Sequence, residues 1–179
     1  MGRFIQMFGK KSSFEEVRNG LQPIFPRLWR FCLVLTGSAQ LADDLAQSTC
    51  LRALEKAHLY TSGTNLKSWV FRMAQRIWLN ELRAAAVRRG GGMTTLEENQ
   101  IPEIKPGPES NLLIKEVLLQ VGALPEAQRA TVLLVYAEGY SYRQAAEILE
   151  IPVGTVMSRL AVARARLAGK INGSESKLG

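Results

Sequence analysis

Apolar positions recur at helical spacing along most of the chain, and no alternating run bounded by turn dipeptides competes with them. Ser12 or Ser13 can cap a first helix, with Glu15 and Glu16 in its first turn and Phe14, Val17 and Leu21 along it. Pro23 and Pro26 are expected to break or kink it. A second stretch carries Leu28, Trp29, Phe31, Cys32 and Leu35 and ends at Thr36-Gly37. Ser38 caps the next, with Asp43 and Asp44 near its positive end and Leu41, Leu45, Thr49 and Leu54 roughly along one face. A loop from Tyr60 to Thr64 leads to Asn65, which can cap a long helix from Leu66 to about Val87.

Gly90-Gly91-Gly92 stops that pattern. The segment 90–111 carries Pro102, Pro106, Pro108 and several glutamates but few large apolar residues, and reads as a flexible acidic linker. Periodicity returns from Leu112 to Leu124, and Pro125 opens a helix to about Tyr136. Glu138-Gly139-Tyr140 turns the chain, Ser141 caps a short helix to Leu149, and Glu150-Ile151-Pro152 is a tight break. The last helix runs from Val153 to about Gly169. The expectation is an all-α protein of two small helical domains, 1–89 and 112–170, joined by the 90–111 linker and followed by a disordered tail, 171–179.

Charge adds a ligand class to this plan. The formal net charge is +7 over 179 residues. Between residues 66 and 89 stand Lys67, Arg72, Arg76, Arg83, Arg88 and Arg89 against the single acid Glu81. Between residues 153 and 170 stand Arg159, Arg164, Arg166 and Lys170 with no acid. Two separate basic helices are the footprint of a polyanion ligand; two solvated helix faces are the plainer reading of the same charges. The two cysteines, Cys32 and Cys50, lie among apolar neighbours and are expected to be reduced thiols, and with the lone His58 they make no zinc spacing. No metal or cofactor is expected. No run approaches the ~20 apolar residues of a membrane span, and the start lacks a secretory signal, so a soluble cytoplasmic protein without membrane insertion is expected.

The most specific pattern runs from Ser141 to Leu167. A short helix with Ala145, Ala146 and Leu149 is followed by a brief turn and a helix that points Val156 and Leu160 inward. This is helix-turn-helix spacing, in which the small alanine pair permits a close crossing. Thr155, Ser158 and Arg159 then face outward near the start of the second helix, where a recognition helix meets base edges, while Arg164 and Arg166 suit phosphates. An ordinary helical hairpin with a basic rim is the alternative. Asp43, Asp44 and Gln47 present acceptors that fit a basic partner helix or, more simply, compensate a helix dipole.

Leu124-Pro125-x-x-Gln128-Arg129, Tyr140-Ser141-Tyr142-x-x-Ala145-Ala146, the string from Pro152 to Leu160, and Ala163-Arg164 together resemble region 4 of extracytoplasmic-function sigma factors of the sigma-70 family. Ala42-Asp43-Asp44-Leu45-x-Gln47, Asn65-Leu66-x-x-Trp69 and Glu81-Leu82-Arg83 are similar to region 2 of the same family. The resemblance implies a stress-response transcription initiation factor with no catalysis of its own. It would bind core RNA polymerase through the β′ clamp helices and β flap, bind promoter DNA, and be sequestered by an anti-sigma factor. It implies −35 contacts from Tyr142, Arg143, Val153, Thr155, Ser158, Arg159, Ala163 and Arg164, and −10 contacts from Tyr60, Asn65, Lys67, Arg72, Arg76, Asn80 and Arg83. It assigns polymerase docking to Asp43, Asp44 and Gln47, with Tyr60 offering a stacking face to an unstacked base. Ser48, Cys50, Arg76, Asn80 and Gln144 depart from the residues common in the family. A helix-turn-helix regulator that binds operators as a dimer needs neither the Asp-Asp-Leu-x-Gln stretch nor the long basic helix. An enzyme finds no phosphate-binding loop, His/Cys cluster or nucleophile elbow.

Overall fold

The computed structural model describes residues 2–88 and 120–175, and the side chains of 13–88 and 120–168. The expected linker, 90–111, lies outside the described residues, as do 176–179. Every regular element among the described residues is helical.

Helix α1 spans Gly2–Thr36 without interruption. It therefore starts well before the expected caps at Ser12 and Ser13 and passes through Pro23 and Pro26, where two helices were expected. A proline inside a helix costs ~3 kcal/mol. Here Val17 and Leu21 before the prolines, and Leu28, Phe31 and Leu35 after them, are all buried in one core. Burial of such side chains contributes ~1.5–3 kcal/mol each, enough to offset the loss. Gly37 ends the helix at φ 72°, a conformation that costs glycine little, and its N–H returns to the Leu33 carbonyl at 2.8 Å.

Helix α2, Ala39–Glu55, opens on Ser38, whose side chain accepts from the Leu41 N–H as expected of a cap. A single 3₁₀ turn, Ala57–Leu59, leads to the 60–65 loop. Asn65 Oδ1 then accepts from the Ser68 N–H at 3.0 Å and caps α3, Leu66–Arg88. Ala42, Leu45, Ala46 and Ala53 of α2 meet Val70, Phe71 and Ala74 of α3 across the α1 core. Phe31 and Phe71 stack at 4.8 Å between ring centres, 4° from parallel.

Residues 120–122 are helical, and the earlier part of the helix expected over 112–124 lies outside the described residues. Helix α4, Glu126–Val132, follows and widens into a π turn at Leu133–Ala137. Pro125 sits at its N-cap. Ser141 caps α5, Tyr142–Leu149, and Val153–Glu175 forms α6, which continues past the expected end near Gly169 into the segment 171–175 expected to be disordered. Ala145, Ala146, Ile148 and Leu149 of α5 bury against Val156, Leu160 and Ala163 of α6, with Ala130 and Leu134 beneath. The two domains share one apolar core. Tyr140 meets the edge of Phe71 at 6.3 Å. The buried Arg129 donates from Nε to the Val34 carbonyl at 3.2 Å and from Nη1 to the Gly122 carbonyl at 2.9 Å. Val34 lies in the last turn of α1, where carbonyls lack helical partners and the dipole favours a cation.

Candidate nucleic-acid interface

The α5–turn–α6 unit has the expected helix-turn-helix form. Ser141 Oγ accepts from the Gln144 N–H at 3.3 Å, and Gln144 Oε1 accepts from the Ser141 N–H at 2.9 Å. Gln144, where the family commonly has Glu, closes this reciprocal cap through a neutral amide. Because Val156, Leu160 and Ala163 are held in the core, the opposite face of α6 is turned outward. Val153, Ser158 and Arg164 of α6 and Tyr142 and Arg143 of α5 are exposed, and Thr155 and Arg159 are half-buried. Ser158 Oγ donates to the Thr155 carbonyl at 3.0 Å, so a base contact by this hydroxyl would give up a bond within the helix. Ala163 is corrected: at 0% exposure it is a core residue and no DNA contact. Met157 was not singled out by sequence, yet it is 54% exposed on α6. Only the packing register of α6 shows that it faces outward.

The first-domain residues divide differently. Asn80 and Arg83 lie on the exposed side of α3, with Arg83 Nη1 donating to Asn80 Oδ1 at 3.1 Å, and Arg72 is half-buried. Tyr60 is corrected as a stacking platform. It is 4% exposed, its ring packs on Trp69 at 5.4 Å, and its hydroxyl lies 2.6 Å from the Thr64 carbonyl and 2.9 Å from Glu16 Oε1. Glu16 also accepts from the Gly63 N–H at 3.2 Å, and that bond leads the causes that hold its carboxyl below the usual carboxylate range. An α1 residue thus braces the loop between α2 and α3, a link that sequence reasoning missed because the partners lie more than forty positions apart. Thr61, Ser62, Thr64 and Asn65 remain exposed along the loop, as does His58 before it.

Two of the basic candidates are occupied. Arg76 forks onto Glu150, with Nε 2.9 and 3.0 Å from the two carboxylate oxygens and Nη2 2.5 Å from Oε1. This pairing lowers the Glu150 pKa. Glu150 takes a left-handed backbone conformation, φ 55°, at the end of α5. Lys67 Nζ lies 3.2 Å from Glu138 and 4.5 Å above the Tyr140 ring centre. Both carboxylates come from the second domain, and nothing in the sequence spacing announces either pair.

On α2, Asp43, Asp44 and Gln47 are exposed together on one outer face. Asp43 Oδ1 accepts from Trp29 Nε1 at 2.6 Å, which fixes its orientation. Cys32 is buried and Cys50 half-buried, both are free thiols, and burial raises the pKa of each. No group of three or more potential metal ligands occurs among the described residues, and no helix among them is long and apolar enough to cross a membrane.

A helix-turn-helix domain packed on a helical domain with a basic helix defines a two-domain protein of the sigma type. The sigma-70 region 2 family matches residues 23–88, and the sigma-70 region 4 family matches residues 114–167. The chain is 32% identical to the ECF RNA polymerase sigma factor EcfG of Rhodopseudomonas palustris, over 86% of this chain and 84% of that protein. It is 35% identical to the ECF RNA polymerase sigma factor SigL of Mycobacterium tuberculosis, over 74% and 76% of the two chains. Among solved structures, the sigma factor RpoE in complex with the anti-sigma factor NepR from Bartonella quintana superposes with a TM-score of 0.72 at 27% identity, covering 88% of this chain and 98% of that one. The chain belongs to the extracytoplasmic-function RNA polymerase sigma factors of the sigma-70 family.

Proposed function

We propose that this chain binds core RNA polymerase and directs it to promoters, reading the −35 element through α6 and the −10 element through α3 and the exposed loop 61–65. The observation that carries this reading is the outer face of α5 and α6, where Tyr142, Arg143, Val153, Ser158 and Arg164 stand exposed on a unit with helix-turn-helix packing. Such a face fits a major groove, with Arg143 and Arg164 placed for phosphates or guanine edges. Asp43, Asp44 and Gln47 supply the acidic docking face for a basic helix of the polymerase. The protein contributes binding and orientation, and the polymerase supplies the chemistry. A solved relative is held by an anti-sigma factor, and the same kind of partner fits this chain. Separate roles for residues 1–89 and 112–170, joined by 90–111, follow from this division of labour.

The test is run-off transcription on genomic fragments with core polymerase, with and without the protein. New discrete starts that share upstream −35 and −10 motifs are the expected result. A specific footprint by the protein alone, with no new starts, would instead make it an operator-binding regulator.

A further inference from the structure

Glu138 is the least exposed carboxylate in an ion pair among the described residues, its side chain 4% exposed, and three cations of the first domain converge on it. Lys67 Nζ is 3.2 Å away, Arg27 Nη1 3.7 Å and Arg30 Nη2 4.0 Å. Arg27 and Arg30 lie one turn apart on α1, and Lys67 is in the first turn of α3. Three positive charges exceed what one carboxylate neutralises. The two arginine side chains are also 55% and 54% exposed, so the cluster opens to solvent. Further along α3, ~13 Å from Lys67 at 1.5 Å per residue, Arg76 meets the second carboxylate, Glu150.

Both acids lie in turns of the second domain, at positions the turns do not explain. Glu150 holds a backbone conformation that costs a side-chain-bearing residue ~1–2 kcal/mol, and its carboxylate is spent on a residue of the other domain. Carboxylate and phosphodiester oxygens are equivalent acceptors for guanidinium and ammonium donors. Cations that hold a carboxylate in the packed chain are therefore equipped to hold a strand backbone once it leaves.

We propose that Arg27, Arg30 and Lys67 form a binding site for a backbone phosphate of the promoter strand that α3 engages, and that Glu138 fills this site while the two domains are packed together. This rests on the promoter-recognition reading above, and it adds two α1 residues to the DNA-binding surface. The occupant is a nucleic-acid phosphate, because three cations on one acid leave a net positive, solvent-open cluster at the start of α3, the helix assigned to the promoter strand. An acidic protein segment is the competing occupant.

The test uses holoenzyme reconstituted from the full chain and core polymerase, on a fragment recovered by run-off transcription and opened across its −10 element. Affinity is measured against salt concentration for wild type and for Arg27→Gln/Arg30→Gln. The slope of log affinity against log salt is expected to fall by ~0.7, the contribution of one single-strand phosphate. Affinity at low salt should fall several-fold, with unchanged thermal stability and unchanged binding to core polymerase. Glu138→Gln in the free chain should raise affinity for the same opened strand several-fold, and adding the two arginine substitutions should abolish that gain. An unchanged slope in the arginine variant, while wild type still prefers promoter over scrambled DNA, overturns the phosphate site alone. Loss of polymerase binding with the DNA slope intact assigns the cations to a protein partner and overturns it as well. Absence of any promoter preference in wild type overturns both this inference and the function on which it rests.

Discussion

At the scale of single residues, Arg159 shows how burial changes a role that spacing suggests. It is half-buried on α6, and its charge, after that of Arg129, opposes the upward pull of burial on the Glu126 carboxyl. Its charge therefore acts on a carboxyl of α4 as well as on any groove that α6 enters. Arg159→Ala should weaken −35 duplex binding by ~1–3 kcal/mol and relax sequence preference at one base, measured by anisotropy against a scrambled duplex. Equal weakening on both duplexes would make it a phosphate contact. The same variant should raise the Glu126 pKa further, because the coulombic support from Arg159 is lost. Ala163 marks the opposite limit. It belongs to the most specific motif in the sequence, yet its place in that motif reflects the close packing of α6 on its neighbours.

At the scale of elements, the caps and faces were legible and the interruptions were not. Ser38, Asn65 and Ser141 each cap the helix that sequence assigns to them, because a cap is a local arrangement that spacing reports directly. The prolines of α1 misled for the complementary reason. Their local cost is real, but the compensation comes from α2 and α3, which the local sequence does not show. Tyr60 misled in the same way, since its partners Glu16 and Trp69 come from α1 and α3. The helix-turn-helix depends on its local signals, so Ser141→Ala should lower the stability of the second domain by ~1 kcal/mol. Thermal unfolding checks this: the Gln144 N–H loses its acceptor, while the Gln144 side chain keeps its bond from the backbone N–H of residue 141. An unchanged midpoint would mean that the α5–α6 core alone fixes the start of α5.

At the scale of the whole molecule, the unexpected feature is how the domains meet. The face of α6 proposed for the −35 element is open, while Lys67 and Arg76 of α3 are paired with acids from the other domain. In the proposed function α3 engages DNA only when those pairs separate; Lys67 then leaves a Glu138 side chain that is 4% exposed, whereas the Arg76–Glu150 pair costs little. The Arg76–Glu150 side chains are 61% and 38% exposed, and an exposed pair is worth ~0–1 kcal/mol and screened by salt. The apolar Phe71–Tyr140 contact and the Arg129–Val34 bond are not so easily lost, and in the proposed function polymerase docking supplies the difference. Because Arg76 lowers the Glu150 pKa, the pair's contribution is complete above the ordinary carboxylate value of ~4.3 and is lost only as pH falls through the lowered value. Domain contact should therefore not vary with pH near neutrality through this pair, and should loosen in acid. Glu150→Gly separates the two effects of this residue. Glycine accepts the left-handed backbone without cost, so the second domain should keep or raise its thermal midpoint while the pair to Arg76 disappears. Spin labels at Lys56→Cys and Glu147→Cys, both exposed, in a Cys50→Ser background, read the interdomain distance directly. The Gly variant should show a broader and longer distance distribution at neutral pH, which wild type approaches only in acid or high salt. A distribution identical to wild type would mean that the remaining contacts, apolar and polar, hold the domains without it, and that the Arg76–Glu150 pair is a consequence of their packing.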